Sequence, residues 1–328
     1  MVKTNKTFNF YNGRSALDFG IKSLSLKENS KIFLPEIICD VAVKVFLKNK
    51  LDIIYYKLDE SFQPVWTELN KINNKNIKGI LMVHYFGFPQ NFNKFKKFAK
   101  KRNIFLIEDN CHSLDVSYKK EVLGMIGDIG IDSPRKILNN LYSGGRLYIN
   151  KNLKFKKVNI SKYKPSYFEI FKKKIKNNIP KLIKKIRFLG YRPQYESPFL
   201  FSNIDNSFKN KKIDNFSINY LNKFNKEKES LRRVRLFNKI QTFARNNEIK
   251  TVFKIQKNLI PMHFVGMAKS KSHASQIFDW GWKNKIEILS WPSFDINKKL
   301  NNKLVNRWQK YICIPLNEDI KYINEKKI

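Results

Sequence analysis

The chain has 328 residues, of which 42% are hydrophobic and 14% aromatic. This composition excludes an intrinsically disordered chain, and the length allows a large domain plus a smaller one. The 65 Lys+Arg against 27 Asp+Glu give a formal net charge of +38, which suggests nucleic acid or an anionic membrane surface as a partner. The lysines are scattered along the chain, however, and codon bias with a solvated basic surface is the favoured explanation.

Cysteine usage and hydropathy indicate a cytoplasmic protein. Cys39, Cys111 and Cys313 lie far apart without paired spacing, which is typical of a reducing compartment. No apolar run approaches the length that spans a bilayer, and the first residues lack the continuous apolar segment of a signal peptide.

The first half of the sequence predicts alternating helices and strands. Helical spacing of apolar residues covers 16–26, 38–47 and 92–99, and short apolar runs that predict strands cover 31–35, 52–56, 79–85 and 104–107. Runs that are apolar at nearly every position are typical of strands buried on both faces, as in a mostly parallel sheet. Such sheets bind ligands at the carboxyl ends of their strands.

Ionisable residues follow the last of these strands, in the sequence IEDNCHSL at 107–114. Three interpretations fit this stretch by itself: a metal site, a cysteine nucleophile, or a carboxylate that faces a bound cofactor. Cys111 has no thiolate-stabilising partner in the sequence, so it is expected to be buried filler, and Glu108 is expected to shape the turn.

The second half is predicted to contain a basic, variable helical region and a terminal domain. Residues 171–189 place apolar side chains on one helical face, which fits packing on a core or partner subunit, or contact with a membrane surface. A second helix is predicted over 226–246. We expect a large domain over 1–228, with the basic region at 151–228, and a small C-terminal domain over 229–328.

Four segments of the first half, in order, resemble the DegT/DnrJ/EryC1/StrS family of pyridoxal-phosphate-dependent sugar aminotransferases. They are NGRSAL at 12–17, VHYFG at 83–87, IEDNCHS at 107–113, and Gly127-Asp128 followed by SPRK at 133–136 and Gly144-Gly145. The segments 286–292 and 307–315 resemble the family's C-terminal region. The resemblance implies the α/β fold type I of aspartate aminotransferase, with a mostly parallel central sheet flanked by helices and a smaller C-terminal α/β domain.

The resemblance implies that pyridoxal 5'-phosphate is the cofactor and that Asp109 keeps its ring nitrogen protonated, which makes the ring a better electron acceptor. The alternative for Asp109 is helix N-capping, a common role of aspartate after a strand. His112 occupies the family position close to the cofactor ring; the alternative is a histidine with hydrogen bonds and no catalytic part.

Lys136 matches the lysine that binds the cofactor covalently. That role needs a nucleophilic amine, and burial together with the adjacent cation Arg135 is expected to lower its pKa. The alternative, that a lysine falls here by chance in so lysine-rich a chain, is disfavoured by the following Gly144-Gly145. Ser133 is assigned to the cofactor phosphate by the resemblance.

Gly13, Arg14 and Ser15 open the first helix, where backbone amides and a small side chain form an anion site. The resemblance assigns this site to the cofactor phosphate. Tyr85 follows the third strand, and either lines the sugar pocket or belongs to the core.

The resemblance implies transfer of an amino group from an amino acid, glutamate by preference, to a nucleotide-linked keto-sugar for surface polysaccharide or glycan synthesis. Sugar dehydratases of the family carry histidine in place of the lysine, so Lys136 favours an aminotransferase. The family also implies a homodimer, with no nucleic acid as partner.

Two residues depart from the family pattern: Asp132 replaces an aromatic residue and Asp115 a glycine. They suggest an alternative, a non-catalytic member with a regulatory or scaffolding role. A basic protein that binds nucleic acid or membrane surfaces is the second alternative.

Overall fold

The computed structural model describes residues 6–150, 153, 160–171, 210–284, 286–292, 294, 299–316 and 323. The chain divides into two compact units: the first holds Met1–Tyr163, Asn203–Lys226 and Asn258–Ile260, and the second holds Lys164–Ser202, Glu227–Lys257 and Pro261–Ile328. The basic helix predicted over 171–189 lies outside the described residues except for Phe171, and the predicted domain boundary after residue 228 stays a prediction.

The first unit alternates strands with helices over most of its length. Its strands are β1 (Lys6–Phe10), β2 (Lys31–Pro35), β3 (Asp52–Tyr56), β4 (Ile77–Val83), β5 (Phe105–Asp109), β6 (Ser117–Tyr118), β7 (Glu121–Val122), β8 (Ile129–Asp132) and β9 (Gly145–Ile149). Its helices are α1 (Gly13–Ser23), α2 (Asp40–Lys48), α3 (Trp66–Lys71), α4 (Phe92–Arg102), α5 (Pro134–Ile137) and α6 (Asn215–Lys223), with a 3-10 turn at Tyr85–Gly87.

Seven of these strands form one sheet in the order β1-β9-β8-β5-β4-β2-β3. The pairs from β8 to β3 are parallel, whereas β9 runs antiparallel to both β8 and β1. The central strands are apolar and buried; Ile80, Leu81 and Ile107 are 0% exposed. Helices on a mostly parallel sheet give it the burial on both faces that such strands need. The predicted α/β fold class is confirmed.

Local sequence explains most element boundaries. The strands predicted over 31–35 and 52–56 have those bounds, and both contain the β-branched and aromatic residues that favour strands. The predicted end of the first helix at Leu26 is wrong: α1 ends at Ser23, and Ser25 takes a left-handed φ of 50° that cannot continue a helix.

The second unit contains most of α7 (Lys226–Asn246), followed by β10 (Lys250–Thr251), β11 (His263–Met267), α8 (Lys271–Lys283), α9 (Asn302–Trp308) and β12 (Tyr311–Pro315). Its three strands form an antiparallel sheet in the order β10-β11-β12. The α7 helix has the predicted bounds. Two indoles anchor the segment at 286–292: Trp282 Nε1 donates to the Ile288 carbonyl at 3.1 Å, and Trp308 Nε1 to the Pro292 carbonyl at 2.8 Å.

Across the ranges described above, no helix combines the length and the apolar character needed to cross a membrane.

Candidate active site

The predicted site residues of the first unit follow three neighbouring parallel strands. In the pairing register, Val83 at the end of β4 lies opposite Asp109, and Asp109 lies opposite Ile131 in β8. The carboxyl ends of parallel strands meet at one edge of a sheet, so Tyr85, Asp109 and Ser133 all start from that edge.

The N-terminus of α1 lies at the same place. Asn12 caps the helix, since its Oδ1 accepts from the backbone N–H of Ser15 at 2.9 Å and from the Ser15 hydroxyl at 3.1 Å. A β-carbon on Gly13 would lie 3.0 Å from Cys111 Sγ and 3.3 Å from Ser133 Cβ. Glycine therefore lets the helix start contact both the loop after β5 and the turn after β8.

A second glycine fixes this contact from the side of β9. A β-carbon on Gly145 would lie 2.1 Å from the carbonyl carbon of Asn12 and 2.6 Å from the Gly13 nitrogen. The neighbouring Gly144 donates its N–H to the Tyr11 carbonyl at 2.7 Å. The pair of glycines thus holds β9 against the beginning of α1.

Asp109 ends β5 half-buried and belongs to a group of four titratable side chains with Cys111, Cys39 and Lys136. The Cys111 N–H donates to Asp109 Oδ1 at 2.8 Å, and the Cys111 thiol also hydrogen-bonds the carboxylate. Burial raises the pKa of this thiol well above its usual value, and the charge of Asp109 adds to the rise. Residues 110–116 form turns without a helix, so Asp109 does not cap a helix.

Lys136 lies on α5, close enough to the other three groups for their charges to act on it. Burial alone would lower its pKa, but negative charge on Cys111, Cys39 and Asp109 outweighs this, and the pKa of Lys136 is raised. The expectation of a lowered pKa is therefore wrong; Arg135 acts in that direction as the smallest influence. Because both thiols have raised pKa values and are protonated near neutral pH, Asp109 is the anion that acts on the ammonium there.

The surroundings of Lys136 combine solvent contact with dense protein. Lys136 keeps solvent access, although the surrounding protein desolvates its amine. Cys39 is half-buried at the N-terminus of α2, and Asp109 is half-buried as well. An amine and a carboxylate that retain solvent access are thus both accessible to a ligand.

Glu108, the neighbour of Asp109, is 0% exposed and points to the other side of the strand. Its carboxylate accepts from the backbone N–H groups of Gly124, Ile126 and Gly127 at 2.7, 2.6 and 3.1 Å. His84 Nε2 lies 2.8 Å from the same carboxylate. The expectation that Glu108 shapes the turn is borne out by these contacts.

The hydrogen bonds also fix the tautomers of two buried histidines. His84 Nδ1 accepts from the Gln90 N–H at 3.0 Å, so a neutral His84 carries its proton on Nε2 and donates to Glu108. His112 Nδ1 accepts from the Phe86 N–H at 3.1 Å. A neutral His112 therefore carries its proton on Nε2, as a hydrogen-bond donor.

The remaining predicted site residues differ in burial and in their hydrogen bonds. Ser133 is buried, and its hydroxyl lies 3.4 Å from the Gly144 carbonyl. Arg14 is half-buried and Ser15 fully buried. Tyr85 is 1% exposed and donates its hydroxyl to the Ile37 carbonyl at 2.6 Å, which makes it a core residue of the sheet edge; its contact with substrate stays a prediction.

Two features of this region were not predicted from the sequence. Cys39 was not singled out, because a lone cysteine at a helix start gives no signal for its position beside Lys136. Arg146 was missed as well, although it pairs with both departures from the family pattern: its guanidinium donates to Asp132 at 2.9 Å and to Asp115 at 2.8 Å. Only the pairing of β8 with β9 brings these residues together.

A groove elsewhere in the first unit has a volume of about 450 Å³ and is lined by Asp59, Trp66, Gln90, Tyr118 and their neighbours. It contains none of the predicted site residues. The candidate site is therefore the group around Asp109 and Lys136, where an acid lies close enough to an amine to act on it.

The chain is similar to known proteins in sequence and in fold. Residues 2–163 match the model of the DegT/DnrJ/EryC1/StrS aminotransferase family. PseC of Helicobacter pylori, an aminotransferase involved in the biosynthesis of pseudoaminic acid, shares the fold: its TM-score is 0.66 at 13% identity, covering 98% of this chain and 84% of that one. The fold is that of a sugar aminotransferase.

Two curated relatives match the first half. GDP-perosamine synthase of Escherichia coli O157:H7 is 30% identical over 120 residues, which are 36% of this chain and 33% of that protein. GDP-4-keto-6-deoxy-D-mannose 3-dehydratase of Escherichia coli O55:H7 is 27% identical over 131 residues, 40% of this chain and 33% of that protein. The chain thus matches about a third of the length of these relatives. The part of the chain from 2 to 163 belongs to the DegT/DnrJ/EryC1/StrS aminotransferase family.

Proposed function

We propose that the chain is a pyridoxal-phosphate-dependent aminotransferase that moves an amino group from an amino acid, glutamate by preference, to a nucleotide-linked keto-sugar. The observation that carries the proposal is the position of Asp109 and Lys136, which come from different elements and lie close enough for the charge of one to act on the other. The family match over 2–163 supports it.

The residues present fit the cofactor. Beside Gly13, where a β-carbon would be tightly packed, the buried amide nitrogen Asn12 Nδ2 has no hydrogen-bond partner in the described chain. With the first amides of α1 it would offer hydrogen-bond donors to a phosphate. The hydroxyls of Ser15 and Ser133 would join it by turning from their present acceptors, Asn12 Oδ1 and the Gly144 carbonyl. When bound, pyridoxal phosphate supplies an electron sink that acidifies the Cα–H of the amino acid.

The side chains around Asp109 and Lys136 would divide the remaining work. Asp109, held by the N–H and thiol of Cys111, would keep a proton on the ring nitrogen of the bound cofactor. Lys136 would hold the cofactor through its amine and serve as the base that moves the substrate proton. His112, whose Nε2–H is a hydrogen-bond donor, would donate to the cofactor.

The identity of residue 136 distinguishes between amino transfer and dehydration, the two activities that we consider for this chain. The names of the two relatives indicate an amino-sugar synthase and a dehydratase. Dehydratases of the family are expected to carry histidine in place of the lysine. Because this chain carries lysine, we place it with the aminotransferases: the amine replaces the keto oxygen, which leaves as water.

The proposal extends to the setting of the reaction. The product serves surface polysaccharide or glycan synthesis, the chain is a cytoplasmic homodimer, and the net charge of +38 favours an anionic nucleotide-linked substrate. The alternative of a non-catalytic family member rested on the departures at Asp132 and Asp115. Both carboxylates are paired with Arg146, so neither argues against catalysis.

The test is a two-stage reaction on the purified chain. Pyridoxal phosphate is expected to give a visible absorbance band that L-glutamate bleaches with release of 2-oxoglutarate. GDP-4-keto-6-deoxymannose, one candidate acceptor, should then gain an amino group, as measured by mass spectrometry. A chain that never acquires the band contradicts the proposal, and loss of a hydroxyl group from the sugar without amination would show a dehydratase.

A further inference from the structure

Two carboxylates and two cations form a buried charge cluster beside the candidate site: Asp115, Asp132, Arg146 and Lys226. Asp132 and Arg146 are directly opposite in the antiparallel pairing of β8 with β9. Arg146 Nε donates to the two Asp132 oxygens at 2.9 and 3.0 Å, and the Tyr148 hydroxyl donates to the same carboxylate at 2.9 Å.

The second half of the charge cluster is less deeply buried. Asp115 Oδ1 lies 2.8 Å from an Arg146 terminal nitrogen and 2.8 Å from Lys226 Nζ. The side chains of Asp115 and Arg146 are 15% and 13% exposed, against 0% for Asp132 and 43% for Lys226. The two negative and two positive formal charges of the cluster cancel. Arg146 contacts both carboxylates, and each carboxylate has one further donor: Tyr148 for Asp132 and Lys226 for Asp115.

The charge states follow from these contacts. Burial raises the pKa of Asp132, whereas its own pairing raises that of Arg146 well above the usual value. We take the pair as ionised, because every donor in contact points to the carboxylate. Burial opposes ionisation of Asp115, but Arg146 and Lys226 outweigh it and lower its pKa.

The charge cluster is joined directly to the segment that carries the site lysine. Asp132 precedes Ser133, whose carbonyl accepts from the Lys136 N–H at 2.8 Å at the start of α5. Arg146 follows Gly145, the residue in closest contact with the helix start at Asn12. One guanidinium therefore ties the turn that presents Lys136 to β9, and the neighbouring Gly145 places β9 against the beginning of α1.

We propose that Arg146 is a positioning residue for Lys136: through Asp132 and Asp115 it holds the lysine turn beside Asp109, and the two departures from the family pattern act as one compensated unit. This inference rests on the proposed function for its catalytic meaning. Breaking such a unit leaves a buried carboxylate unpaired, whereas neutralising all its members together does not.

The test measures Lys136 in cofactor-free protein, by the pH dependence of its acetylation with acetic anhydride, quantified by mass spectrometry. Only the neutral amine reacts. The charges that act on Lys136 are Asp109, Cys111, Cys39 and Arg135. In Arg146→Met the turn is expected to move away from the anions, so that the pKa of Lys136 falls by about one unit and labelling at pH 9 accelerates roughly tenfold. Loss of the Arg146 charge without movement of the turn would raise this pKa and slow labelling, which would also overturn the inference.

Two further variants keep the result interpretable. Arg233→Met removes a comparably buried arginine of the second unit, paired with Glu229 at 2.6 Å, and should lose stability while leaving the Lys136 profile unchanged. The triple variant Asp115→Asn/Asp132→Asn/Arg146→Met leaves no unpaired buried carboxylate in the cluster and should return the profile most of the way to that of the parent chain.

The same variants are then titrated with pyridoxal phosphate. We expect Arg146→Met to bind it about tenfold more weakly, with the triple variant restored. An Arg146→Met protein that is folded by circular dichroism and keeps the parent labelling profile overturns the inference. Labelling needs no cofactor, so its outcome is independent of whether the parent chain acquires the visible band, which tests the proposed function.

Discussion

Two adjacent carboxylates end the central strand β5, and they have opposite surroundings. Glu108 is fully buried and accepts hydrogen bonds from three backbone amides and His84. Asp109 is half-buried, accepts from the N–H and thiol of Cys111, and acts on Lys136. A saturated carboxylate can only hold structure, whereas a partly exposed one beside an amine is available to a ligand.

The comparison explains why so many ionisable residues follow a buried strand. Alternation along β5 sends one side chain to each face. One face needs an acceptor for the amides of the loop at 124–127, and the other needs a charge at the candidate site. The same motif therefore contains one structural acid and one chemical acid.

Asp109→Asn is expected to give the largest effect. An amide cannot hold a positive charge on the cofactor ring, so kcat should fall by about 10²–10⁴-fold, while thermal stability changes little. Steady-state amino transfer and thermal unfolding measure the two. Retention of more than a tenth of the activity would remove Asp109 from the chemistry.

Glu108→Gln should give the reverse pattern. The amide replaces a charged acceptor of four hydrogen bonds and points an N–H group towards backbone donors, so the free energy of unfolding should fall by about 3 kcal/mol. Activity of the protein that remains folded should stay within a few-fold of the parent. Denaturant unfolding is the measurement; an unchanged midpoint with lost activity would reverse the roles of the two acids.

Asn12→Ala gives the smallest expected effect. It separates a structural role from a ligand-binding role in a single side chain, since Asn12 is expected to have both. Loss of the cap on α1 should cost about 1 kcal/mol of stability, and loss of the buried amide should also weaken pyridoxal phosphate binding. Asn301→Ala is the matched control, because Asn301 caps α9 through the Leu304 N–H at 2.8 Å. Its variant should lose similar stability without loss of cofactor affinity, and equal affinities in the two variants would exclude Asn12 from the phosphate site.

Local patterns were enough to predict β2, β3 and α7 to the residue, because their information lies in runs of apolar or helix-forming residues. The Asp109 and Lys136 assignments came from motif order. The charge cluster around Arg146 was beyond such reasoning, since it depends on which residues of β8 and β9 face each other. The raised pKa of Lys136 likewise depends on Cys111, Cys39 and Asp109, which only the fold brings close to the amine.

Borohydride reduction of the protein with bound pyridoxal phosphate, followed by peptide mass spectrometry, tests the central claim most directly. The reduction fixes the cofactor to the amine that holds it. The account predicts the added mass on the peptide that contains Lys136, and its absence in Lys136→Ala. Cofactor fixed to another lysine in the parent chain, or equally in Lys136→Ala, would contradict it.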